Sequence, residues 1–156
     1  MSDKSKVVKG ESYFAKVYDA VPDYNEKQSP GTGKYQWEIN VAVEPEVYEE
    51  FKAAGFNAGM RLNKGGKMEY SNKPVITFLK WATDYKGNEN SPPIVMDKDK
   101  NDFDERIENG SIVNVQWSLY KYGASKQHVR PMLVAVQVLE LAEQAGGDIT
   151  PEEVAF

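Results

Sequence analysis

Ser111-Ile-Val-Asn-Val-Gln-Trp-Ser-Leu-Tyr-Lys-Tyr122 alternates regularly enough to be read as a strand with two unlike faces. Val113, Val115, Trp117 and Leu119 form an apolar side. Asn114, Gln116, Ser118, Tyr120 and Tyr122 form a side of amides, hydroxyls and rings, with Lys121 at the strand's end. A strand of this kind buries one face and shows the other to solvent, as antiparallel sheets do. Asn109-Gly110 is a turn signal immediately before it, and a second alternating run, Val129 to Leu141, follows the connection Gly123 to Gln127.

The same period recurs elsewhere in the chain. Residues 12–19 read as a first strand, with Phe14, Lys16 and Tyr18 expected on one face. Tyr35 to Val43 places Tyr35, Trp37, Ile39, Val41 and Val43 on one side, and Val75 to Ala82 is a third strand. Between them, Glu44-Pro45 opens a short helix through about Ala54. Pro45 suits the first turn, Glu46 suits the positive end of the helix dipole, and Gly55 suits the stop, with Val47 and Phe51 facing inward. Residues 56–74 are expected as a basic loop or hairpin and 84–104 as a polar loop. Five strands, one short helix and uneven loops fit a mainly β, five-stranded antiparallel barrel of the OB type better than a sandwich.

The chain has 156 residues, no cysteine and one histidine, His128. Disulfides, thiolate zinc sites and thiol nucleophiles are excluded, and multi-histidine metal sites with them. No apolar run reaches the length of a membrane span, and the start lacks the apolar stretch of a signal peptide, so a cytoplasmic protein is expected. Pro30-Gly-Thr-Gly-Lys-Tyr35 lacks the first glycine and the Ser/Thr of a phosphate loop. Asp97, Asp99, Asn101 and Glu108 have calcium-loop spacing, but Asp102 stands where that loop needs glycine. No pair among twenty-four acids is singled out for acid–base work. A non-enzyme without metal or cofactor is expected.

The formal charge of −5 lies in the last seventeen residues, where Glu140, Glu143, Asp148, Glu152 and Glu153 have no Lys or Arg among them. Residues 1–139 hold nineteen bases and nineteen acids. The chain therefore divides into a domain over residues 1–141 and a flexible acidic tail over 142–156. Such a tail can compete with a polyanion for basic positions on the body. The body supplies rings interleaved with lysines, which suits unpaired nucleic acid, where bases stack and phosphates need cations. Trp37 and Trp117, on apolar faces, are expected in the core. Lys16, Lys34, Lys80, Lys121 and Arg130 are candidates for phosphates. Phe14, Tyr18, Tyr120 and Tyr122 are candidates for stacking, with Tyr24, Phe78 and Trp81 as further ones.

Asn109-Gly-Ser-Ile-Val-Asn-Val-Gln-Trp-Ser-Leu-Tyr-Lys-Tyr-Gly123, then Val129-Arg-Pro-Met-Leu-Val-Ala-Val-Gln-Val-Leu-Glu-Leu141 and an acidic segment to Phe156, resembles the C-terminal half of bacteriophage single-stranded DNA-binding proteins. The resemblance covers residues 107–156 and implies an OB-fold barrel that coats exposed DNA in phage replication, recombination and repair inside an infected bacterium. It also implies docking of replication proteins, a polymerase or helicase, through Glu152, Glu153 and Phe156. One departure is the helix, which follows the second strand here and the third in many OB-folds. A structural or protein-interaction barrel, such as a virion component or enzyme inhibitor, is the alternative, and a hydrolase using carboxylates of the 97–108 loop is a third reading. Homodimerisation through an edge strand or the tail is left open.

Overall fold

The computed structural model describes residues 6–22, 27, 28, 31, 34–56, 60, 61, 73–83, 88–122 and 128–142. In chain order the elements are β1 (Lys6–Pro22), β2 (Tyr35–Ala42), α1 (Pro45–Ala53), β3 (Met60–Arg61), β4 (Val75–Trp81), β5 (Ile94–Asp97), β6 (Ile112–Tyr122) and β7 (His128–Glu140). Antiparallel pairing joins β4 to β2, β2 to β1, β1 to β6 and β6 to β7. A parallel contact, Leu79 opposite Met132, joins β4 to β7 and closes the ring of five. The expected barrel is therefore present, with one parallel seam in place of all-antiparallel pairing. Among the described residues no helix is long and apolar enough to cross a membrane.

β1 does two jobs. Lys6 to Glu11 pair with β6, and Glu11 to Pro22 pair with β2, so the strand bends where it changes partner. Gly10 sits at that bend. A Cβ there would overlap the carbonyl of Ala42 and lie 2.8 Å from Val41 Cγ1, so only a glycine lets the two backbones approach this closely. The far side of the bend is stitched by buried serines. Ser12 N–H and Oγ both donate to the Ser111 carbonyl (2.8 and 3.1 Å), and Ser111 Oγ accepts the Ala142 N–H at 2.9 Å.

The core follows the alternation. Ile39, Val41, Ile76, Phe78, Val113, Val115, Leu133 and Val136 are all buried. α1 adds Phe51, whose ring lies 4.9 Å from that of Trp117 and 6.1 Å from that of Phe78. The helix starts at Pro45 and stops at Gly55 (φ +94) as expected. Its end is a Schellman turn: Gly55 N–H donates to Lys52 O and Phe56 N–H to Phe51 O, both at 3.0 Å. The same turn brings the Phe56 ring to 5.4 Å from Phe51. α1 does follow the second barrel strand. The short β3 pairs with β4 outside the ring and does not restore the more common order.

One expectation fails. Residues 84–104 are not all loop, because β5 lies within them and pairs parallel with β7 from Ile94 opposite Ala135 to Asp97 opposite Val138. Its outer edge is covered by the chain turning back, with Asp97 N–H donating to Asn101 O and Phe103 N–H to Val95 O. The Asp97 carboxylate accepts the Asp99 and Asn101 N–H groups (2.8 and 2.9 Å), which assigns the aspartate-rich run to a turn. No metal-holding cluster occurs among the described residues.

Gly10→Ala is expected to destabilise the protein by about 1–3 kcal/mol, since backbone must shift to admit the methyl group. Thermal unfolding checks this, and an unchanged midpoint would contradict the bend's dependence on glycine.

Candidate nucleic-acid interface

The barrel seam brings together residues far apart in sequence. Trp81 ends β4 and stands opposite Gln36 of β2. Arg130 comes from β7, across the seam, and its guanidinium carbon lies 5.7 Å from the Trp81 ring centroid. Both side chains are part-exposed. The end of β4 is held by Asn90, whose amide donates to the Trp81 carbonyl at 2.9 Å, and by Ala82 N–H donating to Tyr35 O at 2.8 Å. Tyr35 is 40% exposed there, next to Lys34. Lys80 stands opposite Trp37, on the side of β4 that carries Phe78, and burial pushes its ammonium pKa down. A planar guanidinium on an indole offers a base a stacking surface and a phosphate a cation.

The candidates from β1 lie two strands from Trp81, across β2. A bulge between Tyr13 and Lys16 breaks the alternation, and Phe14, with φ +51, sits in it, its N–H donating to Asn109 Oδ1 at 2.7 Å. Phe14 therefore does not share a regular face with Lys16 and Tyr18. Lys16 stands opposite Glu38. The Tyr18 hydroxyl shares its one proton between the carbonyls of Phe103 and Glu105 (3.0 and 2.8 Å). Burial, then Asp104 and Glu105, push its phenol up to about 12. The adjoining groove, about 360 Å³, is lined by Asp19 and Asp104 against one cation, Arg106. Two acids and one base therefore lie around Tyr18, whereas the Trp81 ring has the Arg130 guanidinium beside it.

Phe78 requires a correction. It was expected beside Lys80 as a stacking ring, but it is fully buried against Phe51 and Trp117 and has no face to offer. Trp37 and Trp117 are core, as expected. In β6 the backbones of Tyr120, Lys121 and Tyr122 pair with Arg130, Val129 and His128, which brings this end of the strand to the seam. Their side chains, with Tyr24, Glu152, Glu153 and Phe156, lie outside the described residues. Gln116 is exposed and Asn114 and Ser118 half-buried on the outer side of β6, while Val113, Val115 and Trp117 are buried inside. Tyr35 was missed because alternation assigns it to the Trp37–Ile39 face. It is exposed because it begins the strand, and the only signal was its place beside Lys34 and a glycine-rich loop.

No family model and no curated protein sequence matches this chain. Solved structures do. The single-stranded DNA binding protein gp2.5 of bacteriophage T7 is similar with a TM-score of 0.58 and 18% identity, over 96% of this chain and 99% of that one. The single-stranded DNA-binding protein of bacteriophage Enc34 in complex with single-stranded DNA is similar with a TM-score of 0.60 and 9% identity, over 88% of this chain and 86% of that one. The chain has the fold of these bacteriophage single-stranded DNA-binding proteins. A C-terminally truncated Enc34 protein gives the same likeness, with a TM-score of 0.57 and 10% identity over 88% and 86% of the two chains. At such identities the backbone, and not the sequence, carries the relationship.

Tyr18 is a hydrogen-bond donor, so its contribution belongs to the protonated phenol. Its folded pKa of about 12 lies above the ordinary value of 10.0. The contribution is complete below pH 10, and is lost as pH rises towards 12. Tyr18→Phe is expected to cost about 1 kcal/mol at neutral pH. The stability gap between the two proteins should close across that alkaline window in parallel urea titrations, and a gap independent of pH would contradict the assignment.

Proposed function

We propose that this chain binds single-stranded DNA, without catalysis and without a metal or cofactor, on the seam side of the barrel. The observation that carries this reading is the part-exposed Trp81–Arg130 pair, one partner from each strand of the seam. The likeness in fold to proteins of that activity supports it. Trp81 supplies a ring for a base. Arg130, Lys34 and Lys80 supply charge for phosphates, and the end of β6 that carries Tyr120, Lys121 and Tyr122 adjoins Arg130 by register. Stacking tolerates any base, so binding is sequence-independent. The biological setting is the coating of exposed strands during phage DNA replication, recombination and repair, in the cytoplasm of an infected bacterium. The acidic tail competes with DNA for the lysines and, when displaced, presents Glu152, Glu153 and Phe156 to a polymerase or helicase.

Titration of labelled oligo-dT at two salt concentrations tests this reading. Affinity should fall steeply with salt, because phosphate neutralisation releases counterions. Trp81→Ala should weaken binding by about 1–3 kcal/mol, and Arg130→Ala should reduce the salt slope by about one. Absence of binding, or binding indifferent to both substitutions, would overturn the proposal.

A further inference from the structure

A groove of about 340 Å³ opens on the outer face of β6 and its neighbours, apart from the Trp81–Arg130 pair. Val7, Gln116, Ala135 and Ile94 stand in register across β1, β6, β7 and β5, and Lys9, Asn114, Gln137 and Met96 form the next row. Gln137 Nε2 donates to the Lys98 carbonyl (3.2 Å), and Asn114 Nδ2 donates to Gln137 Oε1 (3.1 Å). A carbonyl can only accept, so this chain of bonds fixes which way round both amides stand. Asn114 keeps Oδ1 and one N–H, and the exposed Gln116 its whole amide, with no further partner among the described residues.

The charge around these amides is positive. Lys100 lines the groove and no carboxylate does. Its backbone has φ +66, held by N–H donation to Asp97 O at 3.0 Å, so a lysine stands in a left-handed turn that glycine or asparagine adopts more readily. Lys9 is exposed in the row beside Asn114, and neither lysine is in an ion pair among the described residues.

We infer that this groove takes one base of the bound strand by its edge, adenine in preference to thymine, with the flanking phosphates on Lys9 and Lys100. An amide sets a donor beside an acceptor, which matches the 6-amino group and adjacent ring nitrogen of adenine. Unpaired bases expose such edges to side chains. Val7 and Ala135 offer the ring an apolar surface beside the amides. The direction of the strand follows from the register. At one end Glu11 and Glu140 both stand opposite Ile112, so a polyanion continuing that way meets carboxylates. The positions in the other direction, Ser118 opposite Met132 and Tyr120 opposite Arg130, include no acid. From Gln116 to Tyr120 is four residues of strand, about 13 Å. A second copy of the chain is the poorer occupant, because isologous packing would bring the lysines of both copies together with no carboxylate in the lining to offset them. The inference rests on the proposed DNA binding and deepens it: stacking on Trp81 is indifferent to the base, and the amide groove adds a preference at one nucleotide.

Competition titrations of the full chain test this with three strands: oligo-dT, oligo-dT carrying one internal deoxyadenosine, and the same strand carrying there a purine that lacks the 6-amino group. The last keeps the purine ring for stacking but has no amino group to donate to Asn114 Oδ1. The adenine strand is expected to bind about five- to tenfold more tightly than the other two. Asn114→Ala combined with Gln116→Ala should abolish the difference, whereas Trp81→Ala should weaken all three strands and keep it. In the isotopically labelled wild-type protein the side-chain amide peaks of Asn114 and Gln116 should shift on adding the adenine strand, a readout that stands even where the double variant fails to fold. Equal affinity for the two purine strands, a preference that survives the double substitution, or amide peaks unmoved by DNA would overturn the inference. So would amide peaks that move with protein concentration alone, which would place a second copy in the groove. If none of the strands binds, the DNA reading falls as well; if oligo-dT binds and only the preference is missing, the groove assignment falls alone.

Discussion

The parallel contact between Leu79 of β4 and Met132 of β7 turns a sheet into a barrel. Without it, β4 and β7 would each carry a row of unpaired backbone groups, and the apolar faces of β2 and β6 would have nothing to enclose. With it, Phe78, Ile39 and Ile76 from one side meet Leu133, Val115 and Val136 from the other in one cluster. The two strands joined by this contact also carry Trp81 and Arg130, whose side chains meet outside the core with the guanidinium 5.7 Å from the ring centroid.

Much of this was legible in the sequence. Wherever one face is apolar and the other polar, a period of two identifies both strand and face, as in Val113 to Trp117 and Trp37 to Val43. The helix was legible because its start and stop each need a particular residue, Pro45 and Gly55. β5 was not, because Ile94-Val95-Met96 is too short an apolar run to alternate, and its pairing with β7 depends on residues forty-one positions away. The bulge at Phe14 was not legible either. Alternation assumes an unbroken register, and here Asn109 and a positive φ interrupt it.

The site was read less completely than the fold, for a physical reason. Alternation separates two faces of a strand but does not say which face another element covers. Phe78 and Trp81 lie three residues apart in the same strand, yet one is wholly buried beneath Phe51 and the other stands at the seam. Tyr18 and Trp81 are both rings near lysines in sequence. In space, one has Asp104 and Glu105 as neighbours and the other has Arg130. Charge summed over the chain is blind to that segregation, and for a polyanionic ligand the segregation decides which ring it meets.

Photo-cross-linking with a halogenated deoxyuridine oligonucleotide, followed by mapping of the modified peptide, asks whether DNA lies on the Trp81–Arg130 pair. An adduct on the peptide containing Trp81, diminished at high salt, is the expected result. Adducts confined to the peptides containing Phe14 and Tyr18 would contradict it.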